Sequence, residues 1–330
     1  MASITFFDPN LHNLLSYVTL QIVNNEKIYL TLPIALFSKI VYNSNSNWGE
    51  IMKKYNPTAT EKDGNVYVSG VCHFSLEETF DCGQAFRWEP FDDTSWIGIA
   101  LGRKLRVGLN DGIITLYDCS LSEYEEKWRA YLDIDRDYGE IISIISANEV
   151  LKNAAEQNKG IRVLKQDKWE ALCSFIISQN NNIPRIKGII GRLCENFGNP
   201  LADGGFTFPT AERIASLTPE DLAPIRSGFR ARYIIDGAKK YLNGEINLEL
   251  IASADIDTAR NELMKITGVG VKVADCTLLF GFQRIDALPK DVWIKRAIEE
   301  YFNGSFPECA KGYEGIAQQY LFNYIRKQNT

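Results

Sequence analysis

Histidine is almost absent from this 330-residue chain, which holds only His12 and His73. A metal centre built on imidazoles is therefore not expected. Cysteine is sparse and odd in number, with seven residues at 72, 82, 119, 173, 194, 276 and 309. None forms a C-x-x-C pair, which argues for reduced thiols in an intracellular protein and against a zinc or iron–sulfur cluster. No apolar run approaches the roughly 20 residues that span a bilayer. The start, MASITFFDPN, lacks the basic residues and continuous apolar region of a secretory signal. Net positive charge is missing too: the formal charge of −6 argues against a broad basic surface for nucleic acid. That deficit is local. Residues 61–160 carry 10 Lys and Arg against 19 Asp and Glu, residues 161–250 carry 12 against 10, and residues 251–330 carry 10 of each. The acidity belongs to one module.

At this length the chain accommodates two or three modules with a substantial core. Its 45% hydrophobic and 24% charged residues are those of an ordinary soluble globular protein. Residues 1–52 read as an amino-terminal extension without an assigned function. In it VTLQIV and KIYLTLPIALF have strand character, SKIVYNSNSNWGE reads as a polar linker, and Met52 is a candidate alternative start. Residues 53–160 read as a β-rich module at first: NVYVSGV, FRWEP, SWIGIALG, KLRVGLN and GIITLYD are short β-branched and aromatic runs separated by DG, DD and ND turns. Gly83, within FDCGQAFRW, reads locally as a turn before a strand. From Tyr124 the pattern turns helical (EKWRAYL, YGEIISIIS, NEVLKNAAEQ), and residues 161–330 read as a helical domain.

Inside that domain, QDKWEALCSFIISQNNNIPRIKGIIGRLCENFG breaks its helical spacing at residues 178–182, where asparagine side chains compete with helical backbone bonds. Locally this is a helix connection capped by asparagine. SLTPEDLAPIRSGFRARYIIDGAKKYL is a second helical pair, joined at Ser227-Gly228-Phe229-Arg230, with Phe229 open to a core role. The last helix, residues 313–327, places Gln318 and Phe322 at i, i+4 on one face. The most informative stretch is residues 255–301, which reads as helix, tight turn, helix, loop, helix. Its turn is Thr267-Gly268-Val269-Gly270, flanked by Leu263, Ile266, Val273, Leu278 and Leu279 at helical spacing. Two glycines there permit unusual backbone and close approach. The helix that follows offers unpaired N–H groups and positive partial charge, a seat for phosphate. Lys272 lies in its first turn, where the helix end and burial both disfavour an ammonium and favour the nucleophilic amine. Asp291 precedes an amphipathic run (Val292, Ile294, Ile298, Tyr301) and reads locally as an N-cap.

Taken together, GVGVKVADC followed by PKDV resembles the helix-hairpin-helix (HhH-GPD) DNA glycosylase superfamily, and most closely its 8-oxoguanine DNA glycosylase/lyase branch. The resemblance covers roughly residues 57–327, through five strings in the right order. It implies an α+β fold: an amino-terminal antiparallel β-rich (TBP-like) domain followed by a mainly α-helical HhH-GPD domain. It also implies roles. Gly268, Val269 and Gly270 form the phosphate-binding hairpin, and Lys272 and Asp291 are catalytic. Gly83, Cys276, Gln318 and Phe322 enclose the damaged base. In the family the carbonyl of the glycine matched by Gly83 reads an N7–H that 8-oxoguanine has and guanine lacks. Asn180, Arg185 and Arg230 face the orphaned cytosine, and Phe229 is the wedge, where the family usually has Tyr. Some wider relatives carry a four-cysteine iron–sulfur cluster after the catalytic domain, but here only Cys309 follows Asp291. Eukaryotic-type members often have histidine two residues after the aspartate, where this chain has Trp293, so that residue's phosphate contact is in doubt.

The implied activity is removal of 8-oxoguanine from duplex DNA, with a Schiff base on Lys272 and β-elimination at the abasic site. No metal or redox cofactor is expected. The expected partner is double-stranded DNA carrying 8-oxoguanine opposite cytosine, met by a monomer without membrane contact, in a nucleoid or a nucleus. The alternatives are a monofunctional glycosylase of the same fold acting on another base, which needs no lysine, and a non-enzymatic HhH DNA-binding protein, which needs no pocket. A few phosphates gripped by backbone N–H groups reconcile this with the negative charge.

Overall fold

The computed structural model describes the strands Ser3–Thr5, Tyr17–Ile22 and Ile28–Pro33 and residues 55–328. The chain divides into two compact units, residues 1–54 and 55–330. In the first, β1 (Ser3–Thr5), β2 (Tyr17–Ile22) and β3 (Ile28–Pro33) pair antiparallel in that order. Of the two segments with strand character, VTLQIV overlaps β2 from Val18 on and KIYLTLPIALF contains β3. The polar linker and the start at Met52 lie outside the described residues.

The second unit opens on six antiparallel strands: β4 (Thr58–Lys62), β5 (Asn65–Ser69), β6 (Trp88–Asp92), β7 (Ser95–Ala100), β8 (Arg103–Asn110) and β9 (Ile113–Leu116). Their order across the sheet is β4-β5-β9-β8-β7-β6. The tight hairpins follow from the turn residues. Asp63 and Gly64 have φ of +51° and +74°, and Asp111 and Gly112 have +49° and +76°, a pair of left-handed residues that suits the strands' twist. One face is apolar by alternation, with Val66, Val68, Leu105, Val107, Ile114 and Leu116 at most 1% exposed. A short helix, α1 (Leu76–Phe80), lies between β5 and β6, and Phe80 stacks on Trp88 with ring centres 4.1 Å apart.

The rest of the unit is helical. After the helical stretch Leu121–Tyr131 come α2 (Tyr138–Ile145), α3 (Glu149–Gln157), α4 (Lys168–Ser178) and α5 (Ile183–Phe197), then α6 (Arg230–Asn243), α7 (Ile256–Leu263) and α8 (Val271–Gly281), and last α9 (Val292–Phe302) and α10 (Glu314–Gln328). Leu263, Ile266, Val273, Leu278 and Leu279, on either side of the hairpin turn, are all at most 3% exposed. The packing seam between sheet and helices does not follow one point in the sequence: Cys82, Phe86 and the faces of α2 and α3 belong to the helical core, while Leu164 belongs to the sheet core. Among the described residues no helix is long and apolar enough to cross a membrane.

The two cores are tied by side-chain donors given to buried carbonyls. Arg162 is fully buried, its guanidinium over the Tyr138 ring at 4.2 Å. It donates to the carbonyls of Cys72 (2.8 Å), Asp133 (2.6 Å) and Arg136 (2.6 Å). Gln84 donates to the carbonyls of Thr79 and Arg162, both at 2.8 Å, and accepts from Leu164 N at 2.9 Å. Five of the seven thiols are also buried, and Cys72 is exposed. Arg162→Met keeps an unbranched stem but is shorter and removes the guanidinium, leaving the buried Asp133 carbonyl and the part-buried carbonyls of Cys72 and Arg136 without this donor. The expected loss is about 1–3 kcal/mol of unfolding free energy, the penalty of one unsatisfied buried group, read from urea denaturation.

Candidate active site

The carboxyl ends and amino ends of four helices converge on one cleft. Its volume is about 910 Å³, and it is lined by Gly83, Ser178, residues 179–182, Lys272, Asp291, Trp293 and Phe322 among others. Four of its lining residues are cations (Lys272, Lys290, Lys295, Arg326) and one, Asp291, is an acid. The negative charge of the whole chain therefore does not describe this surface.

Lys272 is half-buried in the first turn of α8, directly after the hairpin. Gly268 takes a φ of +79°, and a Cβ there would strike the Tyr233 ring at 2.3 Å, so both the conformation and the close approach require glycine. Thr267 N donates to Asp236 at 2.7 Å, which fixes the entry to the turn. Gly270 is the N-cap of α8 and offers no side-chain cap. The first N–H groups of α8 thus face the cleft's edge with no cap from that residue. Lys272 Nζ lies 3.3 Å from Ser178 Oγ and 5.4 Å from the centre of the Phe175 ring. Ser178 Oγ donates in turn to the Phe175 carbonyl at 2.8 Å. Neither Phe175 nor Ser178 was singled out from the sequence. Their i, i+3 spacing just before the asparagine string is the signal that could have found them.

Asp291 is indeed the N-cap of α9, its carboxylate accepting from Ile294 N at 2.8 Å. Burial pushes its carboxyl above the ordinary carboxylate range, opposed by the Ile294 N–H and by the charge of Lys272. The local reading as a cap and the reactive role that the resemblance implies are therefore compatible. One oxygen caps the helix in the same cleft that receives the lysine.

Behind Lys272 an inner cavity of about 60 Å³ is bounded by Gly83, Cys276, Gln318 and Phe322, together with Phe175, Phe280, Pro289 and Asp291. All four residues expected around a base are thus brought together. Gly83 has φ +82°, with Phe322 lying against it at 3.5 Å from where a Cβ would be. Cys276 is 3% exposed, and burial pushes its thiol up to about 11, so at neutral pH it is protonated. Gln318 is 5% exposed, and its Oε1 is buried without a hydrogen-bond partner.

The remaining residues sort by exposure. Asn180, left-handed at φ +46°, is exposed and lines the cleft, while Arg185 is exposed but is not among the residues that line it. Asn181 donates to Ile177 O at 3.0 Å, and Asn182 caps α5 through Arg185 N at 3.0 Å, so the connection is held by its own asparagines. Phe229 is 50% exposed, which removes the core role; its ring touches Tyr233 at 5.6 Å and lies under the Arg230 guanidinium. Arg230 lies further inside. It is 3% exposed and donates to the carbonyls of Gln179 (2.9 Å), Asn180 (3.1 Å) and Ser227 (3.1 Å), bracing the loop that presents Asn180. Trp293 is 41% exposed on the cleft wall with Arg296 beside its ring at 5.8 Å. Among the described residues no group of three or more His, Cys, Asp or Glu is placed to hold a metal ion.

Comparison with known proteins matches this arrangement. Residues 67–172 match the 8-oxoguanine DNA glycosylase N-terminal domain, and residues 173–308 match the HhH-GPD superfamily of base excision DNA repair proteins. The 8-oxoguanine glycosylase/lyase of Clostridium acetobutylicum, solved with double-stranded DNA containing cytosine opposite 8-oxoG, is 37% identical, with a TM-score of 0.79 over 84% of this chain and 100% of that one. MBOgg1, solved with a low affinity DNA ligand, is 40% identical, with a TM-score of 0.78 over 83% of this chain and 100% of that one. The N-glycosylase/DNA lyase of Saccharomyces cerevisiae is 40% identical over 153 residues, which are 42% of this chain and only 41% of the yeast protein. The sheet followed by a helical hairpin domain, and the two family matches laid end to end over it, lead to one conclusion: this chain belongs to the 8-oxoguanine DNA glycosylase family of the HhH-GPD superfamily.

Proposed function

We propose that this protein excises 8-oxoguanine from duplex DNA, opposite cytosine, and then cleaves the strand by β-elimination. The observation that carries the reading is the Gln318 amide. A buried acceptor without a partner, on a side chain that lines a cavity beside a lysine and a carboxylate, suits a ligand that donates hydrogen bonds. The Watson–Crick edge of a purine with N–H donors answers that description. The inner cavity has room for a few waters, so base entry displaces its walls.

Extrusion is required because C1′ cannot be reached within the stack. The N–H groups at the hairpin take a backbone phosphate, Phe229 fills the space vacated in the duplex, and Asn180 and Arg185 meet the unpaired cytosine, with Arg230 bracing their loop. The Gly83 carbonyl accepts from N7–H. As the glycosidic bond lengthens, the Asp291 carboxylate stabilises the positive charge growing on the sugar. The Lys272 amine bonds to C1′, the bond to the base breaks and the base departs with a proton. Opening of the sugar ring leaves an imine between Nζ and C1′, which acidifies C2′–H. Loss of that proton expels the 3′ phosphate. The lysine counts against the monofunctional reading, and the pocket against a purely DNA-binding one. With such a substrate the protein works where the genome is, in a nucleus or a nucleoid.

Three outcomes follow. Borohydride added to a reaction on an 8-oxoguanine:cytosine duplex is expected to trap a covalent adduct with the wild type and none with Lys272→Gln; base release without an adduct would replace the lysine by water. Second, the chemistry needs Asp291 ionised, and burial raises its value above the ordinary 3.8. Single-turnover excision should therefore rise with pH along a limb displaced upward from that of a free aspartate. The same raised value means that Asp291's contribution to stability is greatest at acid pH and is lost as pH rises through it. Asp291→Asn, which keeps a cap, should thus lose activity and gain stability at neutral pH. Third, Gln318→Met should leave the free protein as stable or about 1 kcal/mol more stable by denaturant midpoint, while 8-oxoguanine excision falls at least about tenfold.

A further inference from the structure

A single backbone carbonyl distinguishes two bases only if it cannot turn away. Facing 8-oxoguanine, the Gly83 oxygen meets an N–H. Facing guanine it meets a lone pair, and the repulsion that rejects guanine disappears if the peptide rotates. At φ +82° and with no side chain, Gly83 has little of its own to resist rotation.

The resistance comes from both sides. The carbonyl just before it, Cys82 O, accepts from Gln319 Nε2 at 2.8 Å. The carbonyl just after it, Gln84 O, accepts from Gln166 Nε2 at 2.7 Å. Both amides are buried, Gln319 at 3% and Gln166 at 9% exposure. Gln319 follows Gln318 on α10, so adjacent residues of one helix hold the unpaired acceptor and the clamp. We propose that Gln319, working with Gln166, is a specificity-determining positioning residue: it immobilises the Gly83 peptide so that guanine is refused. This rests on the reading of Gly83 given above. Preorganised acceptors of this kind discriminate because the cost of a mismatch is not relieved by movement.

Were Gln319 only satisfying a buried carbonyl, its loss would weaken every activity alike. Two substrates separate the cases: a duplex with 8-oxoguanine opposite cytosine, and one with a preformed abasic site, which has no base to read. Gln319→Met keeps the length of the side chain and removes the donor. Single-turnover excision of 8-oxoguanine is expected to fall about tenfold, and the binding preference for 8-oxoguanine over guanine, measured in a Lys272→Gln background, to fall by a similar factor. Borohydride trapping on the abasic duplex is expected to stay within about twofold. Equal losses on both substrates would overturn the proposal, and so would an unchanged preference. Gln166→Met puts the same question from the other side if the first variant does not fold. Failure of the wild type to release 8-oxoguanine would defeat the proposed activity itself, a result distinct from a wild type that works and a variant that keeps its preference.

Discussion

The interior of this protein contains backbone carbonyls that belong to no helix or strand, and the fold depends on giving them donors. Such groups cost too much to leave unpaired in a dry core. Here the donors are long side chains from distant parts of the sequence. Arg162 serves carbonyls on two separate segments, Gln84 binds the connector between sheet and helices, and Gln166 and Gln319 return the service to Gln84 and Cys82. A loop that would otherwise be a surface connection becomes a wall of the pocket. The site is thus assembled by the same bonds that join the sheet to the helices.

A second economy runs through the helix ends. Asp291 caps α9 and offers its carboxylate to the cleft, and Asn182 caps α5 while its neighbours present Asn180 and Arg185 outward. A cap fixes a short side chain to within the geometry of one N–H bond. Placing reactive or recognising groups at caps gives them the rigidity of the helix without a separate scaffold. It also explains why local inspection of these residues favours the bland interpretation: the cap is real, and the proposed chemistry is added to it.

Much of this was legible in the sequence, for identifiable reasons. The strands announced themselves through Asp-Gly turns and alternation, and the hairpin through two glycines between apolar helices. Lys272, Asp291, Gly83, Cys276, Gln318 and Phe322 were named from the strings that carry them, and they converge. What was not legible is whatever depends on contacts between segments far apart in sequence. Arg162, Gln166 and Gln319 have no local signature, because each acts on a carbonyl scores of residues away. Arg230 could be located but not oriented, since only the fold shows that it turns inward to the loop carbonyls. Phe175 and Ser178 look like ordinary interior positions of α4 until the lysine of α8 arrives beside them.

The buried thiols carry a consequence of their own. A sulfur reacts with peroxide as the thiolate, and burial holds Cys82, Cys119 and Cys276 up to about 11 and Cys194 up to about 12. The Cys276 thiol that lines the inner cavity is therefore in its protonated form. An oxidant that reaches this protein therefore meets the exposed Cys72 before the sulfur of the inner cavity, which is both covered and protonated.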